Sequence, residues 1–465
     1  MKPKATLVGA IHPDVLAFTV GQDPVLDLEL AEWDCLGTAA HVTALSRLRL
    51  PRPVLKPADR NAVVRELIAV MQAARAGRFT ISDADQDIHL AVERRLTERL
   101  GERGRRVHTG RSRNDQVAVD LRLHARANLN ALAIEACELA GVLLRFAGRH
   151  RRLPMVGRTH LQPAMPSSVG LWAAGYAEGL LDDLLAVDAA HALADRCPLG
   201  SAAGYGVPLP LDRRLTARLL GFAAPHAGVF HAGNSRGKCE AAVLGALGQV
   251  MLTLSRFAED LILFSMPEFG YFDLPPEFCT GSSIMPQKHN PDVLELVRAR
   301  AARVLGAAAT AAEIVRALPG GYNRDLQEIK GLYLEGMRTT RAALRILALL
   351  AGALRPRPER LRAGFEPGVF ATDRALALVA GGMPFRDAYR HVRSHLGELT
   401  TASPGDALAA KTGGRGTADV DLAALRRRAA AGRRAAAGRQ RAAHRAFGRL
   451  LGVPYPALGK GTRRR

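Results

Sequence analysis

Four short polar runs carry the residues whose types and spacing could do chemistry. The densest is Gly281-Ser-Ser-Ile-Met-Pro-Gln-Lys-His-Asn-Pro291. Its glycine and serines suit a flexible loop that folds over a ligand, and Lys288 and Asn290 add charge and hydrogen-bonding capacity. Ser282 or Ser283 is a candidate acid–base group, provided a lysine or a backbone N–H stabilises its alkoxide. A second run, His108-Thr-Gly-Arg-Ser-Arg-Asn-Asp-Gln116, enters a helix from Asp115. It sets two guanidiniums, Arg113 among them, with Ser112 and Asn114 at a helix N-terminus, a combination that favours bound carboxylates. In Gly157-Arg-Thr-His-Leu-Gln162, His160 can serve as a base or as a proton-transfer partner held by a carboxylate. Thr159 beside it can bind a substrate oxygen. In Tyr322-Asn-Arg-Asp-Leu-Gln-Glu-Ile-Lys330, Gln327 and Lys330 stand three apart and share a helical face. Lys330 can clamp a carboxylate there and Tyr322 can close the pocket. Plainer readings compete at each run: a capped helix start with surface arginines, a satisfied loop histidine, a solvated first turn.

Other chemistries are excluded or weakened. No Gly-x-Ser-x-Gly elbow is present, which disfavours a hydrolase triad. No glycine-rich phosphate loop follows a strand. His391 and His395 stand one turn apart, but without the glutamate of a zinc-hydrolase helix, so no metal is expected. Asp83, Asp85 and Asp87 do not continue as a calcium loop and read as a capped turn entering a helix. The five cysteines are odd in number and widely spaced, which fits a reducing compartment. The first residues hold no apolar run of signal-peptide type, and no apolar stretch is long and uncharged enough to read as a membrane span.

Positioning such runs needs long elements. The chain has 465 residues, enough for a large core or several domains. Asp27–Leu50 and Pro57–Ala76 read as amphipathic stretches. Asp115–Ala147, Pro166–Ala194, Ser235–Ser265, Val293–Val315 and Asp325–Ala353 carry helical periodicity with Ala, Leu, Glu and Arg dominant. The fold class is therefore mainly α, with a long central helical bundle. Three zones are expected: an N-terminal helical domain over 1–110, the bundle over 111–360, and a small helical C-terminal domain over 361–465. The formal charge is +21, and thirteen Lys+Arg against one Asp from residue 421 onward supply +12 of it. That Ala/Arg-rich tail reads as a solvated helix interrupted at Gly432 and Gly438, with Tyr455–Arg465 frayed, rather than as a nucleic-acid arm.

The same runs resemble argininosuccinate lyases of the fumarase/aspartase superfamily. GSSIMPQKHN is similar to the superfamily's signature loop. HTGRSRNDQ continued by VAVDLRL, YNRDLQEIK, DQDIHLAVERRL and the stretch from Thr280 to Gly306 resemble argininosuccinate lyases in particular. The resemblance implies a three-domain, mostly helical protomer and a homotetramer with each site built from three subunits. It also implies a cytoplasmic enzyme without a cofactor, acting on a small polycarboxylate: argininosuccinate is split reversibly into arginine and fumarate. By position it makes Ser282 the catalytic base. Lys288 and Asn290 stabilise the developing charge, and His160 with Glu295 as partner protonates the leaving nitrogen. Asn114 and Thr159 bind carboxylates with Arg113 and Ser112 nearby, and Tyr322, Gln327 and Lys330 hold the remaining groups.

Three segments depart from the family pattern. The N-terminal Phe-Asn-x-Ser run is replaced by Phe18-Thr-Val-Gly-Gln-Asp-Pro-Val-Leu26, which leaves no match for a serine ligand. An acidic and arginine cluster is replaced in Asn234-Ser-Arg-Gly-Lys-Cys-Glu-Ala-Ala-Val243, where Arg236 and Lys238 are candidates for the lost positive group. Gly-Tyr-Thr-His becomes Gly157-Arg-Thr-His160. The alternatives are a related lyase freeing fumarate from another succinyl adduct, adenylosuccinate among them, and a catalytically silent structural relative.

Overall fold

The computed structural model describes residues 4–6, 9–82, 84–411 and 419–458. Asp83 and the last basic residues of the tail lie outside the described residues. Five helices form the central bundle: Arg113–Arg149, Val169–Ala194, Lys238–Ser265, Asp292–Arg316 and Glu328–Ala353. Their apolar residues meet in one core that includes Leu129, Leu144, Leu180, Leu247, Phe257, Val297, Leu344 and Leu347. Polar side chains set the starts. Ser168 Oγ accepts from Leu171 N at 3.1 Å, and Asp87 Oδ1 accepts from Leu90 N at 2.8 Å to open the Ile88–Leu100 helix. Asp87 thus confirms the capped turn expected there. The Lys238–Ser265 helix is long and apolar enough to cross a membrane by composition alone, yet one face is buried in the bundle core.

The bundle has two distinct ends. Gly237, at the start of the Lys238–Ser265 helix, packs against Val315 and Ile329, so the Asp292–Arg316 helix finishes and the Glu328–Ala353 helix begins there. At the other end, Phe272–Asp273 pairs antiparallel with Arg355–Pro356. The remaining strands among the described residues are short two-stranded pairs.

The N-terminal helices Ala31–Leu45, Pro57–Arg75 and Ile88–Leu100 share a second core around Leu36, Leu67, Met71 and Ile88. Short helices follow the bundle, Ala371–Ala380 and Phe385–Ser394 among them, with a turn through Gly381 and Gly382 between.

The structure corrects several local expectations. Pro166–Ser168 is not helical; it closes the strand Gln162–Ser168, which pairs with Pro154–Thr159. The tail is one unbroken helix, Leu422–Leu451. A Cβ on Gly432 would lie 3.2 Å from Cys137 Sγ and 3.3 Å from Leu184 Cδ1, so this glycine permits close approach instead of ending the helix. The helix is not merely solvated either. It buries Leu425, Ala436, Phe447, Leu450 and Leu451. Its arginines pair with bundle acids, Arg428 with Asp182 at 2.5 Å and Arg439 with Asp188 at 2.7 Å. Among the described residues beyond it, Leu458 is buried and Tyr455 Oη donates to Glu32.

Candidate active site

Taken in chain order, the first polar run, His108–Gln116, starts the Arg113–Arg149 helix through a capping box. Ser112 Oγ accepts from Asn114 N at 3.2 Å, and Asp115 Oδ1 accepts from Ser112 N at 3.0 Å. Asp115 also fixes a neighbouring loop, because its Oδ2 accepts from Gly200 N and Ala202 N, both at 2.9 Å. Burial pushes the Asp115 carboxyl up to about 6 against those N–H donors. Ala202 has φ 52 and Gly200 φ 90, so a backbone that L-residues avoid is held in place by one carboxylate. Arg113 Nε lies 3.3 Å from Asp87, and Asn114 is half-buried beside it.

The fourth run lies at the same end. Gly321 N donates to Asn234 Oδ1 at 2.8 Å, and Tyr322 covers the guanidinium of Arg236, whose Cζ is 5.2 Å from the ring centre. Gln327 Nε2 donates to the Thr19 carbonyl at 3.0 Å. Lys330 is buried and paired with Asp23 at 2.7 Å and with Asp27. Its ammonium is thus engaged inside the chain, where the spacing alone read it as an open clamp. Asp23 comes from the segment where no family serine could be matched, and Asp27 directly follows that segment.

The second and third runs sit at the other end. His160 and Leu161 form the two-residue turn between Pro154–Thr159 and Gln162–Ser168. Both have positive φ, 54 and 60, without being glycine. Such a turn matches strand twist but strains branched side chains. Thr159 and His160 are exposed at this tip, and Arg158, His160, Trp172 and Asp260 line a 420 Å³ cavity beneath it. The loop of the third run is closed at its neck: Thr280 and Asn290 exchange backbone hydrogen bonds at 3.1 and 2.8 Å, and Thr280 Oγ1 donates to Asp292. Between them Ser282 Oγ accepts from Ile284 N at 3.3 Å and Met285 N at 3.1 Å. Two N–H groups aimed at one hydroxyl oxygen favour its alkoxide. They single out Ser282 over Ser283. Lys288 is exposed on the loop, and Glu295 is exposed on the first turn of the Asp292–Arg316 helix.

Length then decides what one protomer can do. The 37-residue Arg113–Arg149 helix separates the first run from the second by about 55 Å at 1.5 Å per residue. The 25-residue Asp292–Arg316 helix separates the third from the fourth by about 37 Å. A single protomer therefore places the runs two at each end of its bundle, and not in one place.

The sequence profile of a family described as Lyase matches residues 29–306. The argininosuccinate lyase of Sorangium cellulosum (strain So ce56) is 46% identical over 420 residues, covering 90% of this chain and 96% of the relative. The chain belongs to the argininosuccinate lyase family. Its fold is that of EDDS lyase, a solved structure with a TM-score of 0.78 at 22% identity, covering 98% of this chain and 96% of that one. Class II fumarase from Schistosoma mansoni has the same fold, with a TM-score of 0.70 at 16% identity over 87% and 98% of the two chains. This member of the argininosuccinate lyase family is thus a mainly α, fumarase-like lyase.

Sequence reasoning missed the Asp34, His89 and Asp120 cluster. All three side chains are buried, with His89 Nδ1 2.7 Å from Asp34 and 3.7 Å from Asp120. Their ligand-type atoms are grouped closely enough for a metal, but they already pair with one another. His89 and Asp120 fell inside recognised runs, DQDIHLAVERRL and VAVDLRL, but nothing in their spacing joins them to each other or to Asp34.

Proposed function

We infer that this chain catalyses the reversible elimination of argininosuccinate to L-arginine and fumarate, the last step of arginine synthesis, as a soluble cytoplasmic carbon–nitrogen lyase. One observation carries the reading: identities of 41–46% to relatives named argininosuccinate lyase, each extending over 90% of the chain. The geometry supports it. Ser282, with two N–H donors on its Oγ, removes the proton from the carbon next to a substrate carboxylate. The resulting carbanion is an aci-carboxylate whose charge Lys288 and Asn290 stabilise. His160, partnered by Glu295, delivers a proton to the leaving guanidino nitrogen as the C–N bond breaks. Asn114, Thr159, Arg113 and Ser112 bind substrate carboxylates, with Tyr322 and Gln327 on the remaining groups. Lys330 acts by holding Asp23 and Asp27 beside Gln327. These steps use protein groups alone.

The separation of the two pairs of runs supports a homotetramer in which sites are shared. Each site gathers runs from three subunits, the Asn114 and Tyr322 end of one protomer meeting the His160 and Ser282 runs of its neighbours. We retain the division into 1–110, 111–360 and 361–465 as the working domain plan, with the Leu422–Leu451 helix seated on the bundle.

The replaced Asn234–Val243 segment favours a second reading, a lyase freeing fumarate from a different succinyl adduct. Purified protein given argininosuccinate is expected to raise ultraviolet absorbance as fumarate forms. Turnover of adenylosuccinate with none of argininosuccinate overturns the first reading in favour of the second.

A further inference from the structure

We propose that Arg236 binds a substrate carboxylate, in a pocket roofed by Tyr322 at the start of the Lys238–Ser265 helix. The inference rests on the lyase reading and names a specificity-determining residue for it. Arg236 is only 7% exposed. Among the described residues its side chain has no ion-pair partner, and its Nε has no hydrogen-bond partner. Its guanidinium lies against the face of the Tyr322 ring. An arginine keeps its charge at every working pH, and a buried charge without a counter-charge is costly. Two other buried arginines are treated differently. Arg126 pairs with Asp195 at 2.9 Å, and Arg122 donates to the Leu193 carbonyl at 2.7 Å and to Ser235 Oγ at 2.7 Å. Arg236 alone of these three holds its charge in reserve.

The surroundings fix where that charge points. Asn234 is bonded to Gly321 N, two residues before Arg236. Gly237, one residue after it, has φ +77, and a Cβ there would lie 2.6 Å from Leu326 and 2.8 Å from Val315. No other residue fits Gly237, so the Arg236 backbone is clamped against the Tyr322–Lys330 run. On its solvent side lie Tyr322, which is 42% exposed, and the exposed ring pair of Tyr205 and Phe230, which approach Gly321 and Gly320. The 28-residue Lys238–Ser265 helix starts beside Arg236, and the carboxylate of Glu240 on its first turn is taken up by Gly237 N, not by the guanidinium. A planar guanidinium with no ion-pair partner among the described residues selects a carboxylate, and a planar fork binds one bidentately. Argininosuccinate offers carboxylates on its succinyl half and on its amino-acid half.

The test compares wild type with Arg236→Gln, Arg236→Met and Arg236→Lys. Loss of a charge-assisted pair is expected to raise KM for argininosuccinate about tenfold to a hundredfold in the Gln and Met variants, with Lys in between. Melting temperature is expected to hold or rise in Arg236→Met, because an unpaired buried charge is removed; a residue with a structural role would lower it. Calorimetric titration at constant ionic strength with fumarate, and separately with arginine, reads binding without turnover. Weakened fumarate binding assigns the succinyl carboxylate, and weakened arginine binding the amino-acid carboxylate. Wild-type affinity for fumarate, arginine and argininosuccinate in Arg236→Gln overturns the proposal, as does a large drop in melting temperature in Arg236→Met with unchanged KM. Failure of wild type to split argininosuccinate counts against the lyase reading and not against Arg236, whose loss of ligand binding is read by calorimetry alone.

Discussion

Arg158 grips the turn that carries His160: its Nη1 donates to the carbonyl of Leu161 at 3.1 Å. Its Nη2 donates to Tyr271 Oη at 3.2 Å, and its Cζ stacks 4.7 Å from the centre of the Phe269 ring. The arginine that departs from the family pattern thus ties the hairpin tip to the bundle. Left-handed backbone costs roughly 1–2 kcal/mol per L-residue, and this turn has two such residues. Without the tie, the turn is free to relax and carry the imidazole with it. Arg158→Met is expected to lower kcat by about tenfold to a hundredfold with little change in KM, the usual consequence of misplacing a proton-transfer group by about 1 Å. Steady-state kinetics check this, and an unchanged kcat refutes the positioning role.

The N–H donors of Ile284 and Met285 reach Ser282 and not its neighbour. Ser282→Ala is therefore expected to cut kcat by about 10³-fold or more, within the range for a lost general base, and Ser283→Ala by less than about tenfold. Both residues lie on the solvent-facing loop, so thermal melting should be the same as in wild type. Equal losses in the two variants would mean that the loop, and not one serine, carries the effect.

Much of this was legible in the sequence because helix periodicity and local caps are written locally. The five bundle helices appear within a few residues of their expected bounds, and Asp115 and Asp87 stand where caps belong. What escaped is what depends on distant partners. Lys330 reads as an open clamp until Asp23 and Asp27 are seen beside it. Gly432 reads as a helix breaker until Cys137 and Leu184 press against it. Pro166 reads as a helix start because strand pairing with Val156 leaves no periodic signal in so short a hairpin. That the four runs fall into two remote pairs follows only from the direction of each helix in the bundle.

The buried Asp34, His89 and Asp120 group sets an alkaline limit to stability. Burial disfavours the charged His89 ring, but the Asp34 hydrogen bond and the charges of Asp34 and Asp87 outweigh it and raise the imidazole to about 9. Burial, with the charge of Asp34, pushes the Asp120 carboxyl well up, so the group holds one ion pair, Asp34 with His89. An unfolded histidine titrates near 6.5, so the stabilisation is fully present below about pH 6.5 and disappears as pH rises through about 9. It is on the order of 3 kcal/mol. Chemical denaturation at intervals from pH 6 to 10 should show that fall, and His89→Gln should flatten it. A wild-type profile already flat over this range would refute the pairing.

The basic tail should behave as part of the scaffold. Phe447, Leu450 and Leu451 complete the N-terminal core, and Leu425, Ala429 and Ala436 complete the bundle core. Truncation after residue 420 strips both cores of these groups, and the shortened chain is expected to aggregate or to lose its cooperative melt. A subtler probe is Gly432→Leu. Its side chain would meet Cys137 and Leu184 in space that is already filled, costing about 1–3 kcal/mol by overpacking. The control is Gly438→Leu, at a position where a Cβ meets nothing within 4 Å and little change is expected. Replacing Arg427 and Arg434, which are exposed on this helix, by glutamine should leave melting and turnover near wild type. A tail that existed to bind nucleic acid would give the opposite pattern, with intact folding after truncation and salt-sensitive nucleic-acid binding lost in the double glutamine variant.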